Sequence, residues 1–419
     1  MTDLYSQLVS LPVAGTVAKR VGLPQPVELE RGTEFSGRVL LGGSGRLARA
    51  AAGALKDLGA DAATALDDPV RAIVAEAGLD AAVFNPQAPA DQKFKALVFD
   101  ASGIESSQDL VELQRFFYPT VSRVQRSGRV IVLGGGRRAL EGFTRSLGKE
   151  IGPSRGATVN LIHVEEGAED QLAPTLKFFL SPASAYVSGQ VAHVGPGHEV
   201  PVRGRRALVT GASRGIGAAI AEVLEREGAQ VIRLDLKDAD LELDITEPDA
   251  GERISDHLGG QLDILVHNAG VTKDRTLAKM PEERWQSLME VNLLAPERIT
   301  AALLPKLAKD GRIVCVSSMS AIAGNAGQTN YATSKAGLLD LVSGLELTRG
   351  ITINAVAPGF IETAMTAAMP VGVREAGRRM NSLRQGGLPV DVAETVAWLA
   401  GSGVDRNVIR VCGQSLLGA

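Results

Sequence analysis

The sequence predicts an α/β protein built of two doubly wound, Rossmann-like domains with parallel sheets, the first a degenerate copy of the second. Short apolar runs such as "ALV" (207–209), "AQVIRLD" (229–235), "LDILVH" (262–267) and "GRIVCVSS" (311–318) alternate with Ala/Leu-rich helical stretches such as "GAAIAEVLEREG" (217–228). Apolar strands separated by amphipathic helices are what a parallel sheet covered on both faces requires. The 419 residues exceed one ordinary hydrophobic core, so two domains of roughly 200 residues are expected. The chain also repeats itself.

The repeat is read by placing "VLLGGSGRLARAAAGALKDLGADAATALD" (39–67) over "ALVTGASRGIGAAIAEVLEREGAQVIRLD" (207–235), which matches strand, Gly turn, helix and next strand. Downstream, "ALVFDASG" parallels "ILVHNAG", "GRVIVLGGG" parallels "GRIVCVSSM", and "RALEGFTRSLGKEIGPSRGATVNLIHV" parallels "KAGLLDLVSGLELTRGITINAVAP". The matching positions are read as Gly42 over Gly211, Arg46 over Gly215 and Ala48 over Gly217; Gly135 faces Ser318, Gly134 faces Tyr331 and Arg138 faces Lys335. The first copy is expected to keep the scaffold without the reactive groups. The Gly-, Pro- and Arg-rich "VGPGHEVPVRGRR" (194–206) reads as the join. The expected order is an N-terminal arm (1–35), a degenerate Rossmann-like (flavodoxin-like) domain (36–194), a linker (195–203) and a second domain (204–419).

Composition narrows the function. With 45% hydrophobic and 22% charged residues and a net charge of −4, nothing favours a polyanionic partner, and nucleic acid is not expected. Two cysteines, Cys315 and Cys412, form no Cys-x-x-Cys pair, and five histidines show no ligand spacing, so neither disulfide nor metal is expected. With no leader-like start and no run of about 18 apolar residues, a cytoplasmic location off the membrane is expected.

The second half carries the chemistry. "TGASRGIG" (210–217) lies between a strand and a helix, where Gly211, Gly215 and Gly217 allow a tight turn and let a pyrophosphate approach a helix N-terminus. Ser213, Arg214 and Ile216 complete that turn. Asp235 follows 18 residues after Gly217, at the end of the next strand, where a carboxylate can accept hydrogen bonds from an adenosine ribose and repel a 2′-phosphate. Arg214 argues the other way, since a guanidinium can pair with that phosphate; NAD(H) is the expected cofactor, with NADPH as the second option. Tyr331 and Lys335, at i and i+4, share one helix face, where a cation helps a phenol of pKa about 10 to act near neutrality. Such a pair standing alone is more often surface decoration.

The ordered set "TGASRGIG", "NAG" (268–270), Asn292, "SS" (317–318), Tyr331 with Lys335, and "PGFIET" (358–363) resembles the short-chain dehydrogenase/reductase family. Within it, the two-domain length and the ending "NVIRVCGQSLLGA" resemble the high-molecular-weight 3-oxoacyl-[acyl-carrier-protein] reductases. The resemblance implies NADH-dependent reduction of a 3-oxoacyl thioester of coenzyme A or acyl carrier protein, with Ser318 binding the carbonyl and Tyr331 giving it a proton. Lys335 would hold the nicotinamide ribose, and Asn292 would bend its helix and hold a water feeding Lys335. It further implies Asp244 and Ile245 beside the adenine, and Asn268, Ala269 and Gly270 lining the cleft. Thr363, with the backbone around Ile361, would bind the nicotinamide carboxamide, and Pro358 and Gly359 would also bind the cofactor. A homodimer is the implied assembly. A broader secondary alcohol or hydroxysteroid dehydrogenase, and a nucleotide-binding assembly protein, are the alternatives. Arg374, Arg378, Arg379 and Arg384 are candidates for the phosphates of coenzyme A or an acidic carrier, against the plainer reading of a solvated face. Two connections are short: "DLKDADLELD" (235–244) leaves no room for a covering helix, and "SGLELTRG" (343–350) is short for a helix and turn.

Overall fold

A computed structural model describes residues 25–87 and 92–416, with four isolated positions before residue 25. Most of the expected N-terminal arm and the last three residues of the tail lie outside the described residues. The chain divides into two compact units, Met1–Pro196 with Glu375–Gly386, and Gly197–Arg374 with Gly387–Ala419. The join falls inside the expected linker, but most of that linker is built into the second unit: the Val200 N–H donates to Gly401 O (2.8 Å) and His198 O accepts from Arg312 Nη2 (3.0 Å).

The first unit holds β1 (Arg38–Gly42), β2 (Asp61–Ala65), β3 (Ala81–Phe84), β4 (Phe94–Asp100), β5 (Val124–Gly134), β6 (Thr158–Val164) and β7 (Val191–Val194) in the order β3-β2-β1-β4-β5-β6-β7. The second holds β8 (Arg206–Thr210), β9 (Gln230–Asp235), β10 (Leu241–Glu242), β11 (Leu262–His267), β12 (Leu307–Val316), β13 (Thr352–Pro358) and β14 (Val408–Val411) in the order β10-β9-β8-β11-β12-β13-β14. Every pairing is parallel; β4 is buried along its whole length and the apolar stretches of the other central strands are buried, as a sheet covered on both faces requires. The first sheet runs 3-2-1-4-5-6, the dinucleotide-fold order, rather than the 2-1-3-4-5 of a flavodoxin, so the flavodoxin-like description is corrected. In each sheet the chain reverses direction beside the first strand, and the crevice opens at that switch point.

The duplication extends to buried polar ties. Arg129 and Arg312 sit at matching places on β5 and β12, each donating to backbone carbonyls: Arg129 to Ser127 O and Ser181 O (both 3.3 Å), Arg312 to Asp310 O (2.7 Å) and Ser402 O (3.0 Å). Ser127 (φ 47) and Asp310 (φ 57) both take the left-handed conformation that aims those carbonyls. Asn160 and Asn354 each bridge to the last strand of their sheet, donating to Val187 O and Val404 O (2.9 Å each) and accepting from Gln190 N (3.1 Å) and Asn407 N (2.9 Å). Buried polar groups that satisfy one another in this way specify a strand end and its neighbour.

The copies differ in two connections. Between β2 and β3 stands the helix Val70–Glu76, whereas β9 and β10 are joined by residues 236–240 alone. β10 is accordingly a two-residue strand, paired through Leu241↔Leu234 and Glu242↔Asp235. The helix Thr329–Gly344 ends before a loop that reaches β13 at Thr352, while its counterpart Arg138–Arg155 turns at Gly156 (φ 63) almost directly into β6.

Candidate active site

The site begins where β8 ends. Gly211 (φ +66) turns the chain so closely against β11 that a Cβ there would lie 2.8 Å from Ala269 Cα, and a Cβ on Gly217 would strike the Gly211 carbonyl. The helix Gly215–Arg226 therefore starts tightly against the turn, with free N–H groups facing the crevice. Asn268 fastens the two strand ends, its Nδ2 donating to Thr210 O (2.9 Å) and Gly211 O (3.0 Å) while its backbone N–H donates to Thr210 Oγ1 (3.0 Å).

A cleft of about 870 Å³ opens there, within the range of cofactor sites. Its walls include Gly211, Arg214, Gly215, Ile216 and Gly217 from the turn, and Asp235, Asp244 and Ile245 at the β9 and β10 ends. Asn268, Ala269 and Gly270 follow β11, and Ser318, Tyr331, Lys335, Pro358, Gly359, Ile361 and Thr363 form the far end. Ser213 and Asn292 stand outside the lining. The Ser213 hydroxyl and N–H instead donate to Asp235 Oδ2 (2.7 and 3.0 Å). Burial works against the Asp235 charge, but those bonds, the Leu236 N–H and nearby Arg214 outweigh it and hold the carboxyl below its usual range.

At the far end, Ser318 caps the helix Met319–Ala323, its Oγ accepting from Ser320 N (3.1 Å), and its hydroxyl lies close enough to the Tyr331 phenol to favour its ionised form. Burial pushes the Tyr331 phenol up, Ser318 partly offsets this, and the Asp274 charge adds to it. The expected lowering by Lys335 is not among these influences. Lys335 is buried, donates from Nζ to Val316 O (2.9 Å), and is pulled down to about 8 by that burial, with Cys315 acting against it.

Asn292 sits in a π turn, Glu290–Leu294, between the helices Glu282–Met289 and Ala295–Leu303. Such widened turns recur at functional positions. Its Oδ1 accepts from Val271 N (2.8 Å), and its Nδ2 donates to Val271 O (3.0 Å) and Ser334 Oγ (3.2 Å). A Cβ on Gly270 would lie 3.1 Å from Lys335 Nζ and 3.3 Å from Asn292 Oδ1, so both groups flank that residue. Thr363 caps the helix Ala364–Ala367, sharing a capping box with Thr366.

Sequence reasoning missed several supports. Ser317 Oγ donates to Lys335 O (2.7 Å) and locks the Tyr/Lys helix to β12. Gln328 accepts from Ser320 Oγ and Asn325 Nδ2 and donates to Asp274 Oδ2 (3.0 Å each). Lys273 lines the cleft and donates to Ser287 Oγ (2.6 Å). Only the motif "SS" hinted at any of these. The arginine run is used internally: Arg378 is 3% exposed and paired with Glu375, Arg379 pairs with Glu375 and donates to Arg384 O, and Arg374 donates to Ala367 O. Of the four, Arg384 is the exposed one.

Among its described residues, the first unit shows no Ser–Tyr–Lys set at the matching place. Parallel pairings Val39↔Ala96 and Ala207↔Ile264 put Gly43 (φ +79), not Gly42, opposite Gly211. The Asp100 carboxylate accepts from Leu47 N (3.0 Å) at the start of the helix Ala48–Asp57, and Asp68 Oδ2 accepts from Gly43 N (3.2 Å). Protein carboxylates thus take the helix N-terminus that would face a phosphate. Gly134 is the last residue of β5, so it cannot stand for the helical Tyr331. The first copy passes from β5 to its helix through residues 135–137, where the second inserts residues 317–328. The segment that presents Ser318 and Tyr331 is absent, not substituted.

A strand–Gly turn–helix crevice with an acidic residue at the second strand and a Ser–Tyr–Lys end defines a dinucleotide-dependent oxidoreductase. A family model described as "Enoyl-(Acyl carrier protein) reductase" matches residues 211–407. The chain is 41% identical over 222 residues to the 3-oxoacyl-[acyl-carrier-protein] reductase FabG of Vibrio cholerae, covering 48% of this chain and 91% of that protein. It is 41% identical over 221 residues to that of Escherichia coli (47% and 90%), and 40% identical over 236 residues to nodulation protein G of a Rhizobium species (51% and 94%). Among solved structures, ligand-free aldohexose dehydrogenase of Thermoplasma acidophilum aligns with a TM-score of 0.48 and 28% identity, over 52% of this chain and 96% of that one. The chain belongs to the short-chain dehydrogenase/reductase family and is an oxidoreductase acting on the CH–OH/C=O couple.

Proposed function

We propose that the second unit reduces 3-oxoacyl thioesters, carried by coenzyme A or acyl carrier protein, with NADH as preferred cofactor and Tyr331 as general acid. The observation that carries this reading is one cleft holding the glycine turn and Asp235 at one end and Ser318, Tyr331 and Lys335 at the other. The cleft suits a dinucleotide: a Cβ on Gly215 meets nothing within 4 Å, so the helix N-terminus is open to an anion, and Asp235 lines the ribose end. A 2′-phosphate there would meet the Asp235 carboxylate.

When bound, the cofactor supplies the hydride to the carbonyl carbon. Ser318 donates to the carbonyl oxygen and holds it beside Tyr331. Burial keeps the Tyr331 phenol protonated at neutral pH, so the proton needed on the new hydroxyl is in place. Lys335, anchored on Val316 O, orients the ribose, and Asn292 beside it keeps a proton route open past Gly270. The relatives from Vibrio cholerae and Escherichia coli are 3-oxoacyl-[acyl-carrier-protein] reductases, which supports the thioester, and a homodimer is the proposed assembly. The test is a steady-state assay of NADH and NADPH against acetoacetyl-coenzyme A, longer 3-oxoacyl thioesters, cyclic ketones and secondary alcohols. The reading expects the highest kcat/KM for a thioester with NADH, and preference for cyclic ketones would overturn it.

A further inference from the structure

The second half's chain leaves its own unit at Arg374 and returns at Gly387, and the stretch between, Glu375–Gly386, is folded into the first unit. Both ends of this excursion start from the wall that carries Ile361 and Thr363. Arg374 Nη1 donates to Ala367 O (3.2 Å), the Gly387 N–H donates to Phe360 O (2.9 Å), and the Glu362 N–H donates to Gly387 O (2.8 Å). Ile361, Thr363, Ala364, Met365 and Thr366 all line the cleft.

The excursion is held by groups far away in sequence. Tyr186, fully buried after the short 3-10 turn Pro182–Ser184, donates its hydroxyl to Gln385 O (2.7 Å) and accepts from Asn381 Nδ2 (3.2 Å). The Gln385 side chain donates to Val27 O (2.8 Å), and Asn381 Nδ2 also donates to Gln385 O (2.8 Å). Gly152, on the helix Arg138–Arg155, lies so near Ser382 that a Cβ there would come within 3.3 Å of Ser382 Cβ and O. A tyrosine hydroxyl shared between a backbone carbonyl and a side-chain amide is a directional tie, not a packing accident.

We propose that Tyr186 is a positioning residue through which the first half sets the enzyme's affinity for its cofactor and acyl substrate, by fixing the excursion that begins and ends on the cleft wall. This rests on the thioester-reductase reading. A chain segment tethered only at its ends samples many conformations, and ordering it when substrate binds weakens binding. Ordering it beforehand removes that loss, so the effect belongs in the binding of the acyl substrate and of the cofactor whose nicotinamide end that wall holds, rather than in kcat. It also gives a copy without reactive groups a part in the reaction.

Two variants of the full-length protein test this. Tyr186→Phe removes the hydroxyl and keeps the ring, and Gln385→Ala, at a half-buried position, removes the tie to Val27 should the first variant fold poorly. KM for acetoacetyl-coenzyme A is expected to rise about tenfold, the size of one net hydrogen bond, with kcat within about twofold, and the NADH dissociation constant is expected to rise in the same direction because Ile361 and Thr363 stand on that wall. Hydrogen exchange at residues 381–386 is expected to rise while β8 and β11 stay protected. Unchanged exchange in both variants overturns the anchor, and faster exchange with unchanged KM overturns the effect on affinity. A wild-type enzyme that reduces no thioester removes the underlying reading and the affinity effect with it, while exchange alone still decides whether Tyr186 holds the segment.

Discussion

The two halves share a sheet order, a buried arginine on the fifth strand and a buried asparagine on the sixth, yet only one carries a Ser–Tyr–Lys cleft. Interior ties and cleft chemistry are therefore separable. Arg129 and Arg312 hold backbone carbonyls that would otherwise be buried without partners, whatever lies at the carboxyl ends of the strands. At those ends the copies diverge. The second leaves its helix N-terminus open, and the first closes its own with Asp100 and Asp68.

The largest predicted effect tests whether reactivity is confined to one half. Tyr331→Phe is expected to lower turnover by about a thousandfold while NADH titration still gives one site per chain. Two equivalent sites, or full turnover, would erase the distinction. Next, the shared scaffold is probed by Arg129→Ala and Arg312→Ala, each expected to cost about 3 kcal/mol in chemical denaturation by orphaning buried carbonyls. A cost in one half alone would show that the ties are not equivalent. A smaller effect is expected from Asp235→Asn, which should shift the NADH-to-NADPH preference about tenfold toward NADPH by relieving repulsion of a 2′-phosphate, read as a ratio of kcat/KM values.

The smallest effect is in pH dependence. Burial pulls Lys335 down to about 8, so it is charged below that pH and loses its proton above it. Reduction should fall as pH rises through about 8, and Lys335→Arg, a group charged at all accessible pH, should remove that limb. The first half has no counterpart of this lysine in a cleft, so no second limb of this origin is expected.

Most of the cleft was legible because its parts are local. A Gly turn between strand and helix, a carboxylate at the next strand end, and Tyr and Lys one turn apart follow from short-range spacing. Other features were misread or not legible. Gly43, not Gly42, stands opposite Gly211: the equal-length overlay of 39–67 on 207–235 already gives it, and the strand register agrees. Gly134 could be laid over Tyr331 only while the ends of β5 and its helix were unknown. The arginines at 374–379 read as a surface run; the pairs of Arg378 and Arg379 with Glu375 are local, at i,i+3 and i,i+4, but the burial of Arg378 is set by packing.

By itself the sequence determined the doubled α/β architecture and the half that matches the family, and it supplied the reactive groups proposed here, since each depends on periodicity or on short motifs. Only the tertiary structure decided the state and use of those groups. Burial sets the Lys335 and Tyr331 protons, Asp100 and Asp68 fill the first copy's anion site, and Tyr186 meets Gln385 across 199 residues. Desolvation and long-range hydrogen bonds exist only once distant segments are packed together, and no local pattern encodes them.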